Sequence, residues 1–196
     1  MAHYYDANWL ADYETRRKAH GNKPTKRPAA PKRITAAELV QTYESPHWKA
    51  LADLAKNPGK FKGHQEHYEQ VRILWHYEQA SAYIYSRLHA TPNGGYRTDK
   101  TGGEMKDEGQ KKGYPDLTLD VARGIYHGLR LELKYGKNTL APEQIQWLQL
   151  LDDEGYYCVA CWGAKEAIDV IAAYERLEPG QEMIAHINDH KWKRKR

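Results

Sequence analysis

Between residues 116 and 134 the chain alternates apolar and polar side chains twice, with a period of two. Leu117, Leu119 and Val121 interleave with Asp116, Thr118 and Asp120, and Leu129, Leu131 and Leu133 interleave with Arg130, Glu132 and Lys134. Successive side chains of a strand point to opposite faces, so each run predicts a strand with a leucine face and a polar face. Residues 123–128 join the runs, with Gly124 placed for a turn. A hairpin turning there pairs Leu117 with Leu131 and Asp116 with Glu132.

The period changes on either side. Residues 64–88 contain no Gly or Pro, and Tyr68, Val71, Leu74, Trp75 and Ala82 recur near helical spacing, which predicts one long helix. Downstream, Pro142 suits a first helical position, where its missing N–H is not needed. Ile145, Leu148 and Leu151 make the apolar stripe of that helix, and Gly155 ends it. Residues 156–162 read as a buried strand, and residues 164–177 as a last helix burying Ala167, Ile168, Ile171 and Tyr174. Nearer the start, residues 1–15 have room for one or two helical turns. Thr35 and Glu38 form a capping box for a segment that runs to about residue 55, is interrupted near Pro46 and closes at Asn57-Pro58-Gly59. Residues 89–113 are rich in glycine and read as loop with at most a short strand or helix inside. Helix, loop, strand pair, helix, strand, helix is the order of an α/β fold with a small mixed sheet.

Composition adds a polyanion partner. With 196 residues the chain suits one domain plus appendages, and 40% hydrophobic residues allow a modest core. The formal net charge is only +4, but its distribution is uneven. Residues 16–33 hold Arg16, Arg17, Lys18, Lys23, Lys26, Arg27, Lys32 and Arg33 without an acid, together with three prolines, and read as a flexible linker. The last six residues add Lys191, Lys193, Arg194, Lys195 and Arg196. Basic ends around an acidic middle fit a nucleic acid, though solubilising tails fit as well. Fifteen tyrosines and six tryptophans against one phenylalanine suit base stacking or plain packing. Cys158 and Cys161 form a lone C-x-x-C in a predicted strand, whose alternation sends the thiols to opposite faces, so they read as packing residues. No apolar stretch is long enough for a membrane span and no signal peptide is recognisable, so a cytoplasmic location is expected.

The hairpin register brings Asp116, Glu132 and Lys134 onto one face. Two acids converge unfavourably unless a cation sits between them. Lys134 supplies one charge, and a hard divalent ion with oxygen ligands supplies the rest. Such a site suits phosphodiester hydrolysis, the metal polarising the phosphate and acidifying a bound water. A solvent-exposed Glu/Lys ladder is the structural alternative. Ten histidines, including His64, His67, His76 and His127, make no closed metal pattern and read as surface residues.

Pro115-Asp116, fifteen further residues and then Glu132-Leu133-Lys134 resemble the PD-(D/E)xK nuclease signature. Gly113-Tyr114-Pro115-Asp116-Leu117, the stretch from Gly124 to Lys134, and Leu140-Ala141-Pro142-Glu143-Gln144 resemble the VRR-NUC branch of that superfamily over roughly residues 64–175. The resemblance implies a restriction-endonuclease-like αβββαβ core of small mixed sheet and flanking helices, with a helical, basic N-terminal extension. It implies that Asp116, Glu132 and the carbonyl of Leu133 bind Mg²⁺ or Mn²⁺, and that Lys134 positions water. It adds Glu66 from the first helix, with Glu69 as a rival, and Gln144 from the helix after the hairpin. Asn93, Gly94, Arg97, Lys111, Lys112 and Gln70 become candidate DNA contacts, the first three in a loop like the family's H-x-P-N-G-G-x-R but with Thr91 inserted. Ala141 stands where the family has a capping Ser or Thr, a loss of about 1 kcal/mol.

The implied activity is a stand-alone, phage- or bacterial-type endonuclease, homodimeric and acting on branched DNA such as Holliday junctions. A flap- or duplex-cutting nuclease and a non-catalytic DNA-binding protein are the rival readings. The expected organisation is an extension over residues 1–60, a nuclease domain over 61–178 and a basic tail over 179–196.

Overall fold

The chain from Glu44 onward owes its shape to a four-stranded sheet with helices on both faces. The computed structural model describes residues 44–91 and 109–194, with the single positions Thr15 and Asp107. The basic run 16–33, the Thr35/Glu38 box and the loop residues Asn93, Gly94 and Arg97 lie outside the described residues.

Helix α1 (Pro46–Lys56) begins at the proline that the sequence pattern read as a break. Ser45 explains the difference: its hydroxyl accepts the Trp48 N–H at 3.2 Å, so Ser45 caps the helix and Pro46 occupies its first position. Trp48 then meets Trp75 with ring centroids 5.5 Å apart, so α1, placed on sequence within the extension, packs on the first helix of the core.

That core helix, α2 (Gln65–Ala80), is shorter than the uninterrupted helix expected over 64–88. Ser81 is extended (φ −156°) and caps a separate four-residue helix, α3 (Ala82–Tyr85), by accepting the Ile84 N–H. A serine competes for nearby backbone N–H groups, and the break lets Ile84 reach the core at 0% exposure. Strand β1 (Leu88–Ala90) follows, at the start of the stretch that the pattern read as loop with room for a short strand.

Strands β2 (Leu117–Leu119) and β3 (Leu129–Lys134) pair antiparallel with Leu117 opposite Leu131, as the hairpin reading required. Strand β2 pairs antiparallel with β1 on its other side. Helix α4 (Pro142–Asp153) crosses over to β4 (Tyr157–Trp162), which lies parallel to β3. Helix α5 (Ala164–Glu175) closes the core.

Two apolar layers flank the sheet. One joins the β2 and β3 leucines, Val159 and Cys161 to α2 and α5 through Ile73, Tyr77, Ala167, Ile171 and Tyr174. The other joins Cys158 and Ala160 to Leu148 and Leu151 of α4 and to Trp192. The two cysteines therefore face opposite layers, as alternation predicted. Because both faces are covered, every residue of β3 is buried.

The last residues do not trail away as a tail. A Cβ on Gly124 (φ +58°) would stand 2.1 Å from the Gln181 carbonyl oxygen, so only glycine admits this approach. The Ile125 N–H donates to that carbonyl at 3.1 Å, Gln149 donates to the Trp192 carbonyl at 2.6 Å, and Trp192 is 3% exposed. Burial of Trp192 supplies the reason: an indole with an apolar slot is worth more inside than in a solvated tail. Among the described residues no helix is long and apolar enough to cross a membrane.

Candidate active site

Alternation along β3 turns Arg130, Glu132 and Lys134 away from the leucine layer. They are 7, 1 and 6% exposed. The solvent-exposed ladder is thereby excluded, because α4 and the C-terminal segment cover this face. Register places Asp116, just ahead of β2, opposite Glu132.

The contacts among these side chains are asymmetric. Asp116 Oδ2 accepts the backbone N–H of Leu133 at 2.9 Å. Lys134 Nζ donates to Glu132 Oε1 at 2.5 Å and lies 3.3 Å from the Leu133 carbonyl oxygen. Gln144 Nε2 donates to the same Glu132 oxygen, while Gln144 Oε1 accepts the Ala141 N–H at 2.8 Å. One glutamine thus holds the carboxylate and supplies half of a capping box where Ala141 has no side-chain acceptor. Glu132 Oε2 is buried and has no hydrogen-bond partner. Burial pushes the Glu132 carboxyl from 4.5 up to about 8; the neighbouring Asp116 charge adds to this and Lys134 opposes it. Burial also raises Asp116, against the Leu133 N–H and Lys134. Two carboxylates and a backbone carbonyl form a hard oxygen set, with one lysine as the only neighbouring cation among these groups. Those are the donors that a hydrated divalent cation takes.

Helix α2 contributes Glu66 and Gln70, a helical turn apart on one face. Both line an open cavity of about 510 Å³ with Asp116, Leu133 and Asn138. Glu69 turns elsewhere: its Oε2 accepts the Ala164 N–H at 2.6 Å at the start of α5, and its other oxygen holds Arg72. Of the two rival glutamates, Glu66 is the one at the cavity. Among the described residues only Cys161, Glu166 and His186 gather three ligand-type side chains with donor atoms within 4.8 Å of one another. Glu66, Asp116 and Glu132 do not draw together to that extent, although the Glu66 charge acts on Asp116.

Sequence reasoning missed Asn138. Its Nδ2 donates to Glu66 Oε1 at 2.8 Å, and its carbonyl accepts Trp162 Nε1–H at 2.9 Å. Nothing in Gly136-Lys137-Asn138-Thr139 signals this, because the contact spans 72 residues of chain. His64 and His67 are exposed at the cavity rim, and His76 and His127 are exposed elsewhere, as expected of them.

Lys111 and Lys112 are exposed, Lys112 in an ion pair with Glu143 at 2.6 Å. Gly113 (φ +81°) explains how they reach this edge: a Cβ there would stand 2.8 Å from the Glu143 Cβ. The segment leading to Asp116 runs this close to the start of α4. His89 is drawn to the opposite end of the polar face, where its ring meets Thr118 Oγ1 at 2.8 Å and Asp120 at 3.0 Å.

No family model matches the chain, and no curated protein matches it. A solved structure described as a "VRR_NUC domain protein" does, at 30% sequence identity and a TM-score of 0.53. The alignment covers 61% of this chain and 96% of that one.

Proposed function

Because this chain belongs to the VRR-NUC family and so carries a nuclease domain, we propose that it is a Mg²⁺- or Mn²⁺-dependent endonuclease acting on branched DNA, Holliday junctions among its substrates. The observation that carries the reading is Glu132 Oε2, buried without a donor beside a second carboxylate and a single lysine. A buried acidic pair with one matching cation is unstable alone and is satisfied by a divalent ion.

Asp116, Glu132 and the Leu133 carbonyl would hold that ion. Bound there, it would supply polarisation of the scissile phosphate and a more acidic water. The remaining work falls to the chain. Lys134 Nζ holds the attacking water and offsets charge gathering on phosphorus. Gln144 fixes the rotamer of Glu132, and the Leu133 N–H fixes that of Asp116. Glu66, oriented by Asn138, meets the water shell from the α2 side. Lys111, Lys112 and Gln70, with Asn93, Gly94 and Arg97, contact the DNA backbone. A homodimer would present two such sites to the paired strands of a junction.

Incubation with four-way junction, flap, duplex and single-stranded DNA tests this. The expected result is junction cleavage with Mg²⁺ or Mn²⁺ and none with EDTA. Cleavage of flaps but not junctions overturns the substrate assignment, and cleavage of none of the four overturns the nuclease. Light scattering should return twice the chain mass of 22.7 kDa; a single chain mass overturns the dimer.

A further inference from the structure

Away from the acidic cavity, the end of β4, the first turn of α5 and the C-terminal segment converge. Cys161 Sγ, a Glu166 carboxylate oxygen and a His186 ring nitrogen all lie within 4.8 Å of one another there. Cys161 is fully buried, and the His186 and Glu166 side chains are 13 and 25% exposed. His186 Nε2 sits 3.1 Å from Glu166 Oε1. Neighbours hold the glutamate in place: Asn188 Nδ2 donates to Oε1 and the Trp162 N–H donates to Oε2, both at 2.6 Å.

Asp189 gives an independent sign of a missing partner. It is 8% exposed, and its Oδ1 is buried with no hydrogen-bond partner. Its Oδ2 accepts the His186 N–H at 3.0 Å and meets Lys193 at 3.3 Å, so the aspartate flanks the same cluster.

We propose that Cys161, Glu166 and His186 form a second metal site, selective for Zn²⁺, that clamps the C-terminal segment onto β4 and α5. Thiolate, imidazole and carboxylate are the ligand types of a four-coordinate zinc site, whereas Mg²⁺ takes oxygen alone. On binding, the Cys161 S–H bond gives its proton to solvent and an S–Zn bond replaces it. His186 ligates through Nε2 in the tautomer that carries the ring proton on Nδ1, so the 3.3 Å contact from the Asn188 N–H to Nδ1 and the contact of Nε2 with Glu166 both give way as His186 and Glu166 bond to the ion. The fourth position is open to water or Asp189. Because binding displaces the thiol proton, occupancy falls in acid. The C-x-x-C spacing is incidental, since Cys158 faces the other apolar layer.

The clamp is independent of the nuclease reading, and cobalt absorption tests it on the full chain without DNA. One equivalent of Co²⁺ should give a near-ultraviolet thiolate-to-cobalt charge-transfer band that Zn²⁺ displaces. The band should persist in Cys158→Ser and in Glu132→Gln, and it should vanish in Cys161→Ser. His186→Gln should lose stoichiometric zinc after gel filtration, while circular dichroism shows it folded. No band in the unaltered protein, an equal band in Cys161→Ser, or one bound zinc per chain in His186→Gln overturns the proposal. If Cys161→Ser does not fold, His186→Gln, altered at the cluster's edge, decides alone.

Discussion

At one end of the polar face of β3, Arg130 meets Asp120 at 3.2 Å and lies 4.1 Å over the Tyr156 ring. At the other end, Glu132 meets Asp116 and Lys134. Strand, face and depth are the same, yet the charge arithmetic differs. Arg130 has its charge matched by one acid, lies over a ring face and donates to the Leu129 carbonyl, with only its Nε left without a partner, and Asp120 is half exposed, so its carboxyl stays below the usual range beside His89 and Arg130. Glu132 and Asp116 share one lysine, and both carboxyls are driven upward by burial. A cation over a ring near solvent is an ordinary structural device. Two buried acids with one ammonium are not, and that excess is what makes this end a candidate site.

Glu132→Gln should break the comparison most strongly, reducing metal-dependent cleavage to background while leaving the fold intact. It also carries a pH signature. The folded Glu132 carboxyl titrates near 8 against an ordinary 4.5. Between those values the native state holds a proton that the unfolded chain has lost. The Glu132 contribution to metal-free stability therefore falls as pH rises from about 4.5 to about 8 and is constant on either side. Chemical denaturation in EDTA across that window should show the decline, and Glu132→Gln should flatten it.

Lys134→Ala removes the one cation at that end. Cleavage should drop by about 10²–10⁴-fold, and thermal unfolding in EDTA should show about 1–3 kcal/mol lost at neutral pH, since Glu132 Oε1 loses a buried donor. Arg130→Met sharpens the contrast from the other side. It should cost about 1–3 kcal/mol through the lost ring and acid contacts while kcat stays unchanged. A fall in kcat like that of Lys134→Ala would erase the distinction between the two ends. The smallest effect is expected of Ala141→Ser, which restores a side-chain acceptor at the start of α4 and should add about 1 kcal/mol of stability.

Much of this was legible before any coordinates. A period-two pattern with a glycine turn specifies which residues share a face, because a one-residue slip would turn every charge into the leucine layer and every leucine onto the polar face. The Leu117–Leu131 register followed from that, and the convergence of Asp116, Glu132 and Lys134 followed from the register. The opposed cysteines came from the same rule. Helix limits were less legible. Ser81 and Ser45 act through single hydrogen bonds to nearby N–H groups, and a hydrophobic period does not register those.

What the sequence determined by itself is local and periodic: the elements, their apolar faces, and three polar side chains on one edge of the hairpin. Only the tertiary structure decided that this polar face is buried, because the cover comes from α4 and from Trp192, both far along the chain from β2. The same packing chose Glu66 over Glu69, since one glutamate is needed at the start of α5, and brought Asn138 to Glu66. Residues 179–196 read as a basic tail because their charges are local, whereas the slot for Trp192 and the approach of Gln181 to Gly124 exist only once the sheet has formed. Period and turn chemistry act over a few residues; burial, which turns a charged ladder into a site, is a property of the whole domain.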